Sequence, residues 1–155
     1  VGRLLDLVQP ACALFGEKDY QQFRVISDLV AGAPDRFGPI EILGCSTLRE
    51  SNGLALSSRN VGIDPADLDR ALGLSRALAA TTDAENAESA RAVMHDILKE
   101  HDLQIQYAEV RDAGSLEPVS SPGMPMRALI AVSMGSIRLI DNAPFESCTG
   151  HSVEE

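Results

Sequence analysis

The sequence holds only two lysines, Lys18 and Lys99, within a basic complement of 13 Lys and Arg. Against 23 Asp and Glu, this leaves a formal net charge of −10. A chain this acidic excludes a general electrostatic grip on nucleic acid, which needs a cationic field along the phosphates. Any anion must be held by local groups, against the overall field. Cysteine is scarce as well. Cys12, Cys45 and Cys148 are odd in number, far apart and without C-x-x-C spacing. That excludes the usual zinc frameworks and predicts reduced, mostly buried thiols in a cytoplasmic protein. His95, His101 and His151 form no cluster with Cys or Asp. His95 and His101 fall on a helix and its end, where a surface position is expected. No apolar run reaches the roughly 20 residues that cross a bilayer, so no membrane partner is expected. No basic-then-apolar leader opens the chain, and no Walker-type glycine loop is present.

What is present is 45% apolar residues over 155 positions, enough for one ordinary domain or two small ones. Leu4, Leu5, Leu7 and Val8 make a helical stripe that Pro10 stops. "ACALF" is a strand ended by Gly16. Phe23, Ile26, Leu29 and Val30 then recur at helical spacing, from a helix start near Asp19. A Gly/Pro-rich loop over residues 31–39 leads to a second strand, "IEILGC". Helix, strand, helix, strand is the alternation of a parallel α/β sheet.

The texture changes near residue 61. Asp64 and Pro65 open a helix whose face is expected to carry Leu68, Leu72, Ser75, Leu78 and Ala79. A second helix carries Ala90, Val93, Met94, Ile97 and Leu98. Three strands follow: "IQYAEV", "RALIAVSM" and, past a tight turn at Gly135, "SIRLID". The expected organisation is therefore residues 1–60 in an α/β domain, 61–146 in a small α+β domain and 147–155 as a flexible tail.

Two stretches carry chemistry. In "FGEKD", Lys18 lies between a strand end and a helix start, at the positive end of the helix dipole, where a cation is disfavoured. An anion between them would resolve the conflict, since Lys18 and the helix N-terminus would both face it. Ligands of open α/β sheets bind beyond the carboxyl ends of the strands, where this turn lies. "GLALSSRN" follows the second strand. Ser57 and Ser58 offer hydroxyl donors, and Arg59 a planar fork for two phosphate oxygens. Taken alone, each stretch reads better without a ligand, the first as a solvated turn with Glu17 and Asp19 neutralising Lys18, the second as a polar linker at a domain boundary. Together, following successive strands, they point to a phosphate site.

These residues resemble a family. "LVQP", "FGEKDYQQ", "TLRE", "GLALSSRN" and "RLIDN", in this order and spacing, are similar to pantothenate synthetases (pantoate–β-alanine ligases), over the chain up to about Phe145. The resemblance implies the C-terminal part of a Rossmann-like nucleotidylyltransferase domain followed by a small α+β domain. It implies ATP-dependent condensation of pantoate and β-alanine through a pantoyl adenylate, with Mg2+ accompanying ATP, in a cytoplasmic and dimeric enzyme. It places Gly16, Lys18, Asp19, Leu48, Leu56, Ser57, Ser58 and Arg59 at ATP and Gln22 at pantoate. Lys18, Ser57, Ser58 and Arg59 would stabilise the reacting phosphates, and Leu48 would line the adenine pocket through its backbone.

The match has departures. Ser46 stands where proline is usual, and Asn52 replaces a common Asp. The His-x-Gly-His segment that the family carries in its N-terminal half is not in this sequence, which begins at Val1. The chain is therefore expected to be the C-terminal half of the enzyme, exposing the flank of the parallel sheet. The alternatives left open are a non-catalytic nucleotide-binding remnant and a partner-binding α/β domain. "RLIDN" is expected to be structural, with Asp141 capping a turn at a strand end.

Overall fold

The structure is a computed structural model that describes residues 1–121 and 123–147. Cys148, His151 and residues 148–155 of the expected tail lie outside the described residues. Internal packing divides the chain into two compact units, Val1–Thr47 and the residues from Leu48 onward. This division falls ahead of the change of texture near residue 61, because Leu54 is buried in the core of the second unit.

The first unit runs from α1 (Gly2–Val8) to β1 (Cys12–Gly16), α2 (Tyr20–Ala31), α3 (Pro34–Phe37) and β2 (Glu41–Cys45). β1 and β2 pair in parallel, Cys12 opposite Glu41 and Gly16 opposite Cys45. A parallel pair needs a crossover, and α2 supplies it. Cys12 and Cys45 thus sit at opposite ends of the pair, as free, half-buried thiols. The core is small: Leu5, Val30 and Phe37, with Ala13, Ala33, Ile40 and Ile42 against them. The loop expected over residues 31–39 contains α3, a single turn with Pro34 at its start. Four residues are too few to show helical periodicity, yet the turn serves to bury Phe37. Leu14 and Leu43 are register partners, and both remain exposed on the sheet.

One ion pair ties α1 to α3. The Arg36 guanidinium donates to both Asp6 oxygens, at 2.9 and 2.7 Å. That hydrogen bond holds the Asp6 carboxyl below the usual carboxylate range. A depressed carboxyl contributes stability above its unfolded pKa, and the contribution is lost as pH falls through the folded value. Acidification below about pH 4 is therefore expected to loosen α1. Faster amide exchange at Gln9, whose N–H bonds the Leu5 carbonyl at 2.9 Å, is the measure. The pair is exposed, so the effect is small, and Asp6→Asn should remove its pH dependence.

The second unit contains α4 (Leu68–Ala71), α5 (Gly73–Ala80), α6 (Ala87–Glu100), β3 (Gln104–Asp112), β4 (Met126–Met134) and β5 (Ile137–Phe145). The strands form an antiparallel sheet in the order β3-β4-β5. β4 is central, and its run from Ala128 to Val132 is buried throughout, which explains an unbroken apolar sequence instead of an alternating one. Gly135, at φ +58°, makes the β4–β5 turn. Asp64 caps the 3₁₀ turn at Pro65–Asp67 through the Ala66 N–H, and Asn86 forms a capping box with Ser89 at the start of α6. The buried stripe of α4 and α5 is Ala71, Leu74, Ala77 and Leu78; of the expected face, Leu78 is buried and Leu72 packs against the core, while Leu68 and Ala79 are exposed. Small residues set that face because the backbone comes close to its neighbour. A Cβ on Gly73 would stand 2.8 Å from the His101 ring. His101 is accordingly packed, with 16% of its side chain exposed, instead of lying free on the surface.

Candidate nucleotide site

In the first unit, β1 delivers the chain to the turn that carries Gly16, Lys18 and Asp19. The backbone at Gly16 is extended, and a Cβ there would meet nothing within 4 Å. Neither conformation nor internal packing requires glycine; the bare backbone leaves open space beyond the strand end. Glu17–Asp19 form a 3₁₀ turn leading into α2. Asp19 is the N-cap residue of α2, but its side chain makes no capping bond. Its carboxylate is exposed, Lys18 is half-buried, and Gln22 is exposed on the first turn of α2. Glu17 lies over β2, its Oε1 2.7 Å from where a Cβ on Gly44 would stand. The structure thus brings Gly16, Lys18, Asp19 and Gln22 together at the carboxyl end of β1.

In the second unit, residues 48–56 form a short hairpin. Arg49 and Ala55 make an antiparallel bridge, and the Leu56 N–H donates to the Leu48 carbonyl at 2.8 Å. The Glu50 N–H donates to Leu54 at 2.8 Å and the Gly53 N–H to Glu50 at 2.9 Å. Gly53 has φ +94°, which favours glycine at the tip. The Leu48 carbonyl is therefore occupied within the hairpin, and its side chain is exposed, as is that of Leu56. Ser57 follows in extended conformation, and its Oγ accepts from the Arg59 N–H at 3.2 Å. This starts a 3₁₀ turn over Ser58–Gly62. A hydroxyl that accepts still has its own proton to donate, so Ser57 remains a candidate phosphate donor. Ser58 and Arg59 are exposed. The hairpin and turn bring Leu48, Leu56, Ser57, Ser58 and Arg59 onto one loop.

Two supporting residues, Asn60 and Arg49, escape residue-by-residue reading although the quoted motifs contain them, and a third, Asp141, has another role than the one expected. Asn60 donates to the Glu50 carboxylate at 3.1 Å and to the Ala55 carbonyl at 3.0 Å, closing the loop on the hairpin. Arg49 donates to both oxygens of Asp141, at 2.7 and 3.1 Å. Asp141 is not a cap at a strand end. β5 runs on to Phe145, so Asp141 lies mid-strand, opposite Ile130. Its carboxylate takes the Arg49 fork and the Asn142 N–H. Among the described residues, no three His, Cys, Asp or Glu side chains group so as to hold a metal ion. Among them, too, no helix is long and apolar enough to cross a membrane.

A family profile described as pantoate-β-alanine ligase matches residues 1–144. The chain belongs to the pantoate–β-alanine ligase family. The pantothenate synthetase of Acidiphilium cryptum is 44% identical over 145 residues, covering 91% of this chain and 51% of that protein. That of Shewanella sediminis is 42% identical, covering 94% and 52%. The crystal structure of pantothenate synthetase from Thermus thermophilus superposes with a TM-score of 0.83 at 36% identity, over 91% of this chain and 52% of that one. A ligase of the same family from Francisella tularensis, crystallised with β-γ ATP and β-alanine, superposes at 0.64 with 29% identity, over 92% of this chain and 46% of that one. This ligase-family chain thus spans about half the length of the relatives it matches. The mixed architecture, a parallel pair followed by an antiparallel three-stranded sheet, is that of the matching half of these structures.

Proposed function

We propose that the chain carries the ATP and pantoate groups of a pantothenate synthetase. The observation behind this reading is the family match over residues 1–144, which includes an open strand end at Gly16 and a Ser57–Arg59 loop whose Ser58 and Arg59 are exposed. In the proposed reaction, a pantoate carboxylate oxygen attacks the α-phosphorus of ATP. The Pα–O bond to pyrophosphate breaks, and pantoyl adenylate forms. The amine of β-alanine then attacks the acyl carbon, the acyl–phosphate bond breaks and AMP leaves. The carboxylate is already ionised at neutral pH, so no activated Ser or Cys is needed. Catalysis then consists of alignment and charge stabilisation.

Lys18 would neutralise charge developing on the phosphates, and Arg59 would hold two phosphate oxygens in its fork. Ser57 and Ser58 would donate hydrogen bonds. Gly16 would let the nucleotide approach the backbone, Asp19 would face the ribose, and Gln22 would bond pantoate. Leu48 would line the adenine pocket through its backbone, and Leu56 would belong to the phosphate-binding loop. Magnesium would enter with ATP as part of the substrate. Dimer formation and a cytoplasmic location belong to the same proposal.

A second reading keeps the Lys18 turn and the Ser57–Arg59 loop as a nucleotide-binding site without turnover. AMP release by the purified chain separates the two readings, with ATP, magnesium, pantoate and β-alanine present and each substrate omitted in turn. Release that requires both pantoate and β-alanine supports the synthetase. ATP binding without release supports the remnant.

A further inference from the structure

We propose that Arg49 and Asp141 form a clasp that positions the Ser57–Arg59 loop, with Asp141 acting through Arg49 and touching no ligand. The proposal rests on the reading of residues 57–59 as a phosphate loop. At its far end the 3₁₀ turn packs on β5 and the core, near Gly62 and Ile63, whereas its Ser57–Arg59 start leans on the hairpin. Ser58 and Arg59 are exposed, and the 3₁₀ turn is capped only locally, through Ser57. Its register is inherited from the hairpin over residues 48–56, through Leu56 to Leu48 and Asn60 to Ala55 and Glu50. The hairpin in turn is fixed by Arg49. One guanidinium nitrogen donates to Asp141 at 2.7 Å and also to the Gly53 carbonyl at the tip, at 3.1 Å. The second nitrogen reaches the other Asp141 oxygen, at 3.1 Å. A bidentate pair fixes orientation as well as distance.

The anchor is rigid on one side only. The Asp141 side chain is 2% exposed, in the β4–β5 ladder, whereas Arg49 is 31% exposed. A carboxylate this buried is costly unless it is paired, so the strand favours one position for the arginine. Beside the pair lies a hollow of about 460 Å3, lined in part by Ser75, Thr81 and Thr82. Their hydroxyls already donate to the Leu72, Leu78 and Ala79 carbonyls. Arg49 itself bonds the Gly53 carbonyl within the hairpin and the Asp141 carboxylate outside it, so Asp141 is the partner that ties the hairpin to the sheet.

The test compares Asp141→Asn and Arg49→Lys in this chain, with two readouts. Amide exchange without nucleotide is followed at Glu50, Gly53 and Leu56 and, as reference, along β4. ATP affinity is measured by calorimetry. The expected result is exchange about 10-fold faster in the hairpin with β4 unchanged, and ATP binding weakened about 10-fold. Arg49→Lys keeps the charge but loses the fork, so it should behave like Asp141→Asn even if one of the two folds poorly. Equal acceleration in hairpin and β4 would mean a purely structural pair and overturn the proposal. So would a loosened hairpin with unchanged ATP affinity, when Arg59→Ala weakens binding. If the unaltered chain takes up no ATP, the nucleotide reading itself fails, before any variant is compared, and the clasp's role falls with it.

Discussion

Lys18→Ala is expected to lower pantoate-dependent AMP release by at least about 100-fold, the size of effect seen when one charge-stabilising donor is removed from a reacting site. The argument begins with placement. Lys18 sits in the 3₁₀ turn between β1 and the N-terminus of α2, where the helix dipole disfavours a cation. An anion bound at the turn would offset that repulsion and face both the lysine and the helix N-terminus. In the proposed reaction, charge on the phosphates would grow as the Pα–O bond breaks, so the lysine would contribute more to the transition state than to bound ATP. The fall should therefore lie mainly in kcat, with a smaller loss of nucleotide affinity. Stability should change by no more than about 0.5 kcal/mol, because the side chain is only half-buried and at a turn. Where turnover needs a further polypeptide, ATP binding by this chain is the direct readout. Unaltered affinity and unaltered AMP release in Lys18→Ala would remove this lysine from the site.

The elements that frame Lys18 are legible because each leaves a local signature. β1 ends in Gly16 and α2 repeats Phe23, Ile26 and Val30; in the second unit, α6 likewise repeats Ala90, Met94 and Leu98. β4 reads as strand from its unbroken apolar run. The loop residues Ser57, Ser58 and Arg59 are legible by type and order. What holds them is not. Arg49 and Asp141 lie 92 residues apart, and no local pattern reports a pairing that the fold alone creates. Asp141 reads as a strand end because the apolar run "SIRLID" stops on it. Pro144 is nevertheless within β5, opposite Arg127. The face of α4 and α5 departs from its hydropathy pattern for a related reason. Hydropathy weights Leu68 and Leu72, while close helix packing selects Ala71, Gly73 and Ala77.

Ile130→Ala is expected to destabilise the second unit by about 2–5 kcal/mol, the range for truncating a large aliphatic side chain in a closed core. Ile130 is fully buried at the centre of the middle strand, flanked in register by Ala108 on β3 and Asp141 on β5. Both neighbouring strands are held by the ladder, and one neighbour is already small, so the cavity has little means of collapse. Urea unfolding should show the loss as a lower midpoint with an unchanged slope. Val61→Ala is the contrast: Val61 is 92% exposed, and its truncation should stay within about 0.5 kcal/mol. The position of Ile130 gives the variant a second use. It faces Asp141 across the sheet without taking part in the Arg49 fork, so it weakens the platform but keeps the clasp's hydrogen bonds. Well below its midpoint, Ile130→Ala should bind ATP almost as the unaltered chain does. A weakening equal to that of Asp141→Asn would mean that sheet stability, and not the orientation of Arg49, governs the loop.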